Sequence, residues 1–234
     1  GLLDALVYNL NRKQERVRLF EIGAVYFKTG DGYNEVSRIS GLAYGDAMPE
    51  QWGIAAREVD FFDVKAEVEL LTSGCARFTA AQHPALHPGQ SAQVMLDGRA
   101  IGWIGKLHPK WQQHYQLPRD TVLFELDTEP LLKCGLPQYE EVPKFPPVRR
   151  DLAVIVDEKI SVQALIDTML AEKISVVSEI ALFDVYRGKS IAENKKSLAF
   201  LVLMQDTQKT LTDAEADEVM AKLLKSIVRQ HGAQ

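Results

Sequence analysis

Seven side chains that could bind a phosphate or stack on a base are concentrated in the last third of the chain. They flank the ends of predicted strands: Arg149, Arg150, Tyr186, Arg187, Lys189, Lys195 and Lys196. Arginine makes bidentate hydrogen bonds to phosphate, and a tyrosine ring offers a flat face to an unstacked base. Lysines at a hairpin tip also keep sheet edges from pairing with other chains. Composition alone therefore favours neither a nucleic-acid site nor a solvated turn.

The charge of the whole chain does not favour nucleic acid. The 234 residues carry 27 Lys and Arg against 32 Asp and Glu, a net charge of −5. Residues 144–234 carry 13 of each sign, so the excess of acid lies in residues 1–143. Binding to a phosphate backbone by bulk electrostatics needs a strongly basic surface. Any contact with RNA must therefore come from a local cluster.

The composition is that of an ordinary globular protein, with 46% hydrophobic and 25% charged residues. No apolar run approaches the roughly 20 residues of a membrane span, and no secretory signal is visible. Cys75 and Cys134 stand far apart without a motif, which indicates reduced thiols. We therefore expect a cytoplasmic protein of two domains. The first residues already follow a helical pattern, as in a fragment of a longer protein.

Residues 1–136 contain both helical and strand patterns. Helices are predicted at 1–13, where Leu2, Leu6 and Leu10 share one side, and at 60–72. Asp97-Gly98 favours a tight hairpin, because both central residues of that turn take positive φ. The predicted strands are 17–27, 37–44, 77–81, 92–96, 100–106 and 121–127.

Four prolines within residues 137–147 mark a linker, and a second unit follows. Its order is strand 152–156, helix 161–171, strand 176–185, strand 197–205 and helix 213–230. This βαββα order indicates a ferredoxin-like sandwich with strand order 4-1-3-2, whose fourth strand has barely begun at Gln234. Ser161 and Asp213 are predicted to cap the two helices. Residues 154–156 predict a first strand that is buried on both faces.

Ordered motifs run through nearly the whole chain. In the first unit they are Gly1-Leu2-Leu3, Asn9 with Asn11-Arg12, Leu19-Phe20-Glu21-Ile22-Gly23, Phe62-Asp63-Val64-Lys65, His87-Pro88-Gly89-Gln90-Ser91-Ala92 and Gly105-Lys106-Leu107-His108-Pro109. In the second they are Phe145-Pro146-Pro147-Val148-Arg149-Arg150-Asp151, Leu182-Phe183-Asp184-Val185-Tyr186-Arg187-Gly188, Lys195-Lys196-Ser197-Leu198-Ala199-Phe200 and Thr210-Leu211-Thr212-Asp213-Ala214-Glu215. With these motifs the chain resembles the C-terminal third of the β subunit in the bacterial phenylalanyl-tRNA synthetase family.

The resemblance implies an α+β fold in three parts. These are a degenerate, antiparallel class II synthetase-like core at 1–136, the linker 137–147, and a ferredoxin-fold anticodon-binding domain at 148–234. It also implies binding of tRNA(Phe) and packing against a catalytic α subunit in an α2β2 enzyme that uses ATP and Mg²⁺. It favours the seven side chains named above as the tRNA contacts, with no DNA or membrane partner. The alternative is a scaffolding or small-molecule regulatory module without RNA contact.

The same resemblance predicts that this chain does no chemistry. Synthetases of that class bind ATP through an arginine of motif 2 and a glycine-rich motif 3 that ends in arginine. Here the strand at residues 20–27 has no arginine after Tyr26, and nothing like motif 3 follows residues 121–127. A triphosphate without paired cations would lose its hydration uncompensated. We therefore expect no catalytic residue, no cofactor and no ATP–pyrophosphate exchange from this chain alone.

Other motifs favour structural roles. His83 and His87 have the spacing of a helical zinc pair, but neighbouring prolines argue against a helix, so we expect no metal site. Residues 102–105 contain part of a dinucleotide-binding motif, but they lie in a predicted hairpin without the helix that such a site needs. All three tryptophans are expected to be buried, namely Trp52, Trp103 and Trp111.

Two surfaces are predicted. The leucine-rich face of residues 2–10 and the strand 19–22 are candidates for the α-subunit interface. In the second unit, Tyr186, Arg187 and Lys196 are expected to form one open patch, because both helices of such a sandwich cover the other face of the sheet. Arg150 starts at the opposite end and joins this patch only if strand twist brings it nearer. Pairing with an acid or a helix terminus would make Arg150 structural.

Overall fold

A computed structural model describes residues 1–133, 139 and 143–234, and the chain divides into two compact units. Unit 1 is Gly1–Pro137 and unit 2 is Gln138–Gln234. Each combines helices with an antiparallel sheet, which confirms the predicted α+β class of an antiparallel core followed by a ferredoxin-like sandwich. The boundaries 1–136, 137–147 and 148–234 stay a prediction. Cys134 and residues 137, 138 and 140–142 of the predicted linker lie outside the described residues.

Unit 1 is built on a six-stranded antiparallel sheet with the strand order β1-β2-β6-β5-β4-β3. The strands are β1 (Val17–Thr29), β2 (Gly32–Tyr44), β3 (Arg77–Ala80), β4 (Leu86–Leu96), β5 (Arg99–Leu107) and β6 (Thr121–Asp127). The helices are α1 (Leu2–Leu10), α2 (Phe61–Leu71), α3 (Pro109–His114) and α4 (Thr128–Leu131). In the part of the chain that the structure describes, no helix is long and apolar enough to cross a membrane.

The two longer helices of unit 1 cover opposite faces of this sheet. Leu6 of α1 is fully buried with Leu42 and Leu107, whereas Val64 of α2 is fully buried in a cluster with Phe124. Neighbouring residues of a strand point to opposite faces, so two separate cores form. Leu2, Leu3, Val7 and Leu10 of α1 are partly buried beside Leu6. Because only Leu6 is fully buried, the α1 part of the predicted α-subunit interface stays a prediction.

Two glycine positions show why the chain needs that residue. Asp97 and Gly98 have φ of 49° and 76°, which confirms the predicted tight hairpin between β4 and β5. A Cβ at Gly102 would lie 2.0 Å from the carbonyl oxygen of Glu125. Gly102 therefore allows the close approach of β5 to β6 and serves a sheet rather than a phosphate.

The prediction that all three tryptophans are buried is wrong for Trp52. This residue is fully exposed, whereas Trp103 and Trp111 are half-buried. Trp52 lies in the connection between β2 and α2. That connection is held at its base, where Ala47 N–H donates to the Arg57 carbonyl at 2.9 Å. The tip beyond this bond carries Trp52 away from the sheet.

Unit 2 has a three-stranded sheet in the order β7-β9-β8, with both pairs antiparallel. Its elements are β7 (Val148–Asp157), α5 (Val162–Leu170), β8 (Val177–Tyr186), β9 (Lys195–Met204) and α6 (Asp213–His231). Gln234 exchanges both backbone hydrogen bonds with Ile155, at 2.8 and 3.0 Å. This pairing occupies the edge of β7 away from β9, which is the place of the fourth strand in the predicted order.

Both helices of unit 2 pack on one face of the sheet. Leu165 of α5 and Leu223 of α6 share one buried core with Val154 and Phe200 of the strands. Along β7 the burial alternates, since Leu152, Val154 and Val156 are buried while Ala153 is exposed and Ile155 half-buried. The prediction of a first strand buried on both faces is therefore wrong. A short apolar run gives no period by which one buried face can be told from two.

Helix α6 begins with a reciprocal cap. The predicted cap Asp213 is wrong by one residue, because Thr212 is the N-cap and its Oγ1 accepts from the backbone N–H of Glu215. In return the Glu215 carboxylate accepts from the backbone N–H of Thr212 at 2.9 Å. Together with a hydrogen bond from Lys209, which is the larger cause, this lowers the pKa of Glu215 from 4.5 to about 2.

This pKa predicts how the stability of unit 2 responds to acid. Because the folded pKa is the lower one, Glu215 stabilises the fold above about pH 4.5, and this contribution is lost as the pH falls towards 2. Glu215→Gln should therefore unfold at a lower urea concentration than the parent at pH 7, and the gap should close near pH 2. Far-UV circular dichroism measures the transition. Tryptophan fluorescence is the control, since Trp52, Trp103 and Trp111 all lie in unit 1. A gap of equal size at both pH values would contradict the prediction.

Candidate nucleic-acid interface

The sheet face of unit 2 opposite the helices is open. The central strand β9 buries alternate residues under the helices, and the residues between them are only partly buried. Cross-strand pairing places these residues in four rows: Ser197 between Ile155 and Tyr186, Ala199 between Ala153 and Asp184, Leu201 between Asp151 and Ala181, and Leu203 between Arg149 and Glu179. The middle of this surface is mostly apolar, and its edges carry the charged side chains Asp151 and Arg149 on β7 and Asp184 and Glu179 on β8.

One end of this face carries groups that suit a nucleobase. Tyr186 is 48% exposed, the Ser197 hydroxyl lies beside it in the same row, and Asp184 lies one row away. An aromatic ring stacks on a base, while a carboxylate accepts from base amino and imino groups and a hydroxyl donates or accepts. Sequence reasoning named Tyr186 but missed Asp184 and Ser197. The signal that could have found them is the alternation of side chains along β8 and β9 together with the pairing of Tyr186 with Ser197.

A second aromatic side chain on this face was also missed. Phe183 is 53% exposed, and its ring centroid lies 5.7 Å from Cζ of Arg149. The register between β8 and β9 shifts between Leu182 and Asp184, so Phe183 occupies a β-bulge. Strict alternation from Asp184 would place Phe183 on the helix side. The bulge breaks that alternation, and no local sequence signal predicts it.

Arg149 and Arg150 lie on opposite faces of β7. On the open face, Arg149 Nε donates to Asp151 Oδ1 at 3.0 Å. On the helix side, Arg150 donates to Asp213 at 2.5 Å and to Asp217 at 3.5 Å, at the start of α6. The hydrogen bond to Asp213 raises the pKa of Arg150. Arg150 therefore fastens α6 to β7, and it does not join the open patch.

Arg187 and Lys196 converge, but their meeting point is Glu158. Arg187 makes a bidentate pair with this carboxylate, at 2.7 and 3.1 Å, and thereby lowers the pKa of Glu158. The Lys196 ammonium donates to the backbone carbonyl of Glu158 at 2.8 Å, and its side chain is only 9% exposed. The prediction that Lys196 belongs to an open patch is therefore wrong. It follows the helix-facing alternation of β9 and ties the β7–α5 turn to the hairpin.

The hairpin between β8 and β9 provides the remaining cations. Lys195 Nζ donates to Oε1 of Gln234 at 3.0 Å. Lys189 has neither an ion pair nor a hydrogen bond of its side chain within the described residues, and it is exposed. Together with Arg187, whose side chain is 56% exposed, these lysines surround the tyrosine end of the open face.

On the sheet of unit 1, the Arg38 side chain is paired with two acids. Arg38 of β2 pairs with Glu125, and its Nε donates to Asp127 at 3.1 Å. The same side of the sheet carries Glu21 beside Ser40. Carboxylates at this place repel an anion, so the geometry offers a nucleotide triphosphate no site here.

The two histidines that have helical zinc spacing serve the backbone. Nδ1 of His83 accepts from the Ala85 N–H at 3.3 Å, and Nδ1 of His87 accepts from the Gly89 N–H at 3.1 Å. His87 lies in β4, so the two rings do not share a helix face. The two histidines therefore stabilise the backbone turns around the start of β4.

Unit 1 exposes an apolar surface beside α2. Phe20 and Ile22 of β1 are 72% and 62% exposed, and Leu70 at the end of α2 is 82% exposed. A groove of about 480 Å³ lies next to them, lined by Arg18, Leu19, Phe20, Ile39, Leu42, Glu67, Leu70, Leu71 and Phe124. The strand part of the predicted interface thus has the exposure that it requires.

Comparison with known proteins agrees with this division of the chain. Residues 1–128 match the family described as "Phenylalanyl tRNA synthetase beta chain CLM domain". Residues 143–234 match the family described as "Ferredoxin-fold anticodon binding domain". The chain belongs to the phenylalanyl-tRNA synthetase β chain family.

Individual relatives belong to the same family. A phenylalanine–tRNA ligase β subunit of Nitrosospira multiformis is 55% identical over all of this chain, and one of Dechloromonas aromatica is 48% identical. The chain spans about 30% of the length of these relatives. A pyrrolysyl-tRNA synthetase structure of Desulfitobacterium hafniense matches 54% of this chain and 44% of its own, at 15% identity and a TM-score of 0.37. That likeness is too distant to support an argument about this chain.

The contacts of Lys196 predict a large effect of its removal on stability. Lys196→Met keeps an apolar stem in the core but leaves the Glu158 carbonyl without its donor. We expect the free energy of unfolding of unit 2 to fall by about 1–3 kcal/mol in urea titrations followed by far-UV circular dichroism. The matched control Lys189→Met should stay within about 0.5 kcal/mol of the parent. Equal effects of the two substitutions would show that Lys196 is merely a surface charge.

Proposed function

We propose that unit 2 binds the anticodon loop of tRNA(Phe) on the open face of its sheet. The observation that carries this proposal is the juxtaposition of exposed Tyr186 with Asp184 and Ser197, at the end of the sheet where the hairpin cations lie. Proteins read unpaired bases by stacking them on aromatic rings and by hydrogen bonding to their edges. The family match of residues 143–234 supports the same assignment.

In this mechanism each group has a separate task. Tyr186 stacks on one unpaired base, and Phe183 offers a second ring further along β8. Asp184 and Ser197 contact base edges, so they favour bases that present donors there. Lys189, Lys195, Arg187 and Arg149 attract the phosphates on either side. Arg150 and Lys196 support the fold and have no direct contact.

The existing ion pairs of the domain do not prevent phosphate binding. The side chains of Arg149, Arg187 and Asp151 are more than half exposed, and the side chain of Glu158 is 44% exposed. Exposed pairs contribute little, because water and salt screen both partners. A phosphate can therefore replace Asp151 or Glu158 as the partner of its arginine at small cost. Lys196 differs, because its side chain is only 9% exposed and its ammonium donates to the Glu158 carbonyl.

Titration with an anticodon stem-loop of tRNA(Phe) tests this function. Tyr186→Ala should weaken binding about 5- to 150-fold, since one stacked base contributes roughly 1–3 kcal/mol. Lys189→Gln should lower the slope of log affinity against log salt by about 0.7, the loss of one single-strand phosphate contact. Tyr33→Ala is the matched control, because Tyr33 is 72% exposed but lies in unit 1. Fluorescence anisotropy at several salt concentrations measures both quantities.

The alternative, a scaffolding or small-molecule module without RNA contact, predicts other results. Binding of the stem-loop would then be absent, or it would be equal in the parent and in Tyr186→Ala. Its salt dependence would not change with Lys189→Gln. Either result would contradict anticodon binding on this face.

We further propose that unit 1 packs against the catalytic α subunit of a phenylalanine–tRNA ligase, and that ATP, Mg²⁺ and phenylalanine bind in that subunit of an α2β2 enzyme. The exposed apolar surface of Phe20, Ile22 and Leu70 supports this part, since apolar patches on a free surface mark protein interfaces. Glu125 and Asp127, which already pair with Arg38, make that part of the unit 1 sheet unsuited to ATP.

Replacing the aromatic side chain at the centre of this surface tests the interface. Phe20→Ala should weaken the affinity of the chain for purified α subunit at least about fivefold, because a buried aromatic anchor contributes more than about 1 kcal/mol. Leu132→Ala is the control, as Leu132 is 84% exposed but lies after α4. Isothermal titration calorimetry measures both affinities. An unchanged affinity of Phe20→Ala, or an equal loss in both variants, would place the interface elsewhere.

A further inference from the structure

The side chain of Tyr186 lies directly over a glycine of its own hairpin. A Cβ atom built on Gly188 would lie 1.9 Å from the Tyr186 hydroxyl oxygen, 2.1 Å from its Cζ and 2.7 Å from its Cε1. Cβ atoms essentially never lie within 3.0 Å of a heavy atom outside their own and the two adjacent residues. With glycine at this place, the outer end of the ring rests against the backbone of residue 188. Any side chain there would push the ring away.

The backbone of Gly188 does not itself require glycine. Five glycines of the described residues have positive φ, namely Gly45, Gly74, Gly98, Gly102 and Gly232, and Gly188 is not among them. A substitution at this position therefore meets no backbone strain of the kind that favours glycine. The space taken by the tyrosine ring is the remaining reason for a residue without a Cβ.

Backbone hydrogen bonds define the loop that places Gly188 as a seat under the ring. The Gly188 carbonyl accepts from the Ile191 N–H at 2.9 Å, and at the other end of the loop the Asn194 carbonyl accepts from the Glu158 N–H at 2.8 Å. These bonds do not involve the exposed Arg187–Glu158 pair, so the position of Gly188 does not depend on whether Arg187 binds Glu158 or a phosphate.

We infer that Gly188 is a positioning residue, which holds the Tyr186 ring in the one orientation that stacks on an RNA base. The inference rests on the proposed anticodon binding and deepens it. Tyr186 is half exposed and has two rotatable bonds, so without this seat the ring would sample several rotamers. Ordering it on binding would then cost affinity, which a preformed seat avoids.

A double-mutant cycle with the anticodon stem-loop tests this role. Gly188→Ala should weaken binding several-fold in the parent, but no more than Tyr186→Ala does. In the Tyr186→Ala background, Gly188→Ala should have no further effect, because the ring atoms that its Cβ would meet are gone. Non-additivity of this kind is the mark of two residues that act through each other. The ring resonances of Tyr186 in tyrosine-labelled protein should also shift in Gly188→Ala, a change that lost stability alone does not cause.

The control and the contrary outcomes are separate. Gly30→Ala is the matched control, because Gly30 has no atom within 4 Å of a built Cβ, and it should change neither binding nor the urea midpoint. If Tyr186→Ala weakens binding but Gly188→Ala does not, or if the two effects add, the positioning role is overturned and anticodon binding stands. If Tyr186→Ala leaves binding unchanged, both the proposed stacking and the positioning role are overturned.

Discussion

Two helices cover only one face of the three-stranded sheet in unit 2, and the arrangement of its polar groups depends on this constraint. Alternate residues of β7 and β9 enter the core under α5 and α6. Their neighbours must face the other way, where Asp184, Tyr186 and Ser197 meet through the strand register. The same alternation separates Arg149 from Arg150, although they are adjacent in sequence. One arginine reaches the open face, and the other is bound to the acids that begin α6.

Glu158 connects this constraint to the hairpin. Its carboxylate binds Arg187, its carbonyl accepts from Lys196, and its N–H donates to Asn194. A single turn after β7 therefore organises the loop that carries Arg187, Gly188 and Lys189. Residues 144–234 carry 13 charges of each sign, so they have no net charge that would attract an anion. Selectivity for an anion then depends on which cations remain accessible, and the exposed side chains of Lys189 and Arg187 meet this condition.

The sequence predicts the positions of helices and strands better than the burial and long-range contacts of individual side chains. Hydrophobic period and turn chemistry placed each major helix and strand, and both residues of the Asp97-Gly98 turn have the expected positive φ. Sequence motifs indicated the family, and the βαββα order of elements predicted the strand order of unit 2. Contacts that join distant residues could not be derived in this way. Nothing in the local sequence distinguishes Lys196 from a surface lysine, yet its buried ammonium donates to a carbonyl 38 residues away. Phe183 reaches the open face through a bulge, and Trp52 is exposed because its loop is fastened only at the base.

Both units pair arginines of a sheet with acids, but they expose different kinds of side chain. In unit 1, Glu125 and Asp127 pair with Arg38 of the sheet, and Phe20 and Leu70 are exposed at an apolar surface of the unit. In unit 2, acids neutralise the arginines at the edges of the sheet, and an aromatic ring and polar groups are left open on its face. A surface of the first kind gains free energy by excluding water from a protein partner. A surface of the second kind suits a partner that carries both flat bases and charge. The proposed difference between protein contact in unit 1 and RNA contact in unit 2 thus rests on which side chains each sheet leaves exposed.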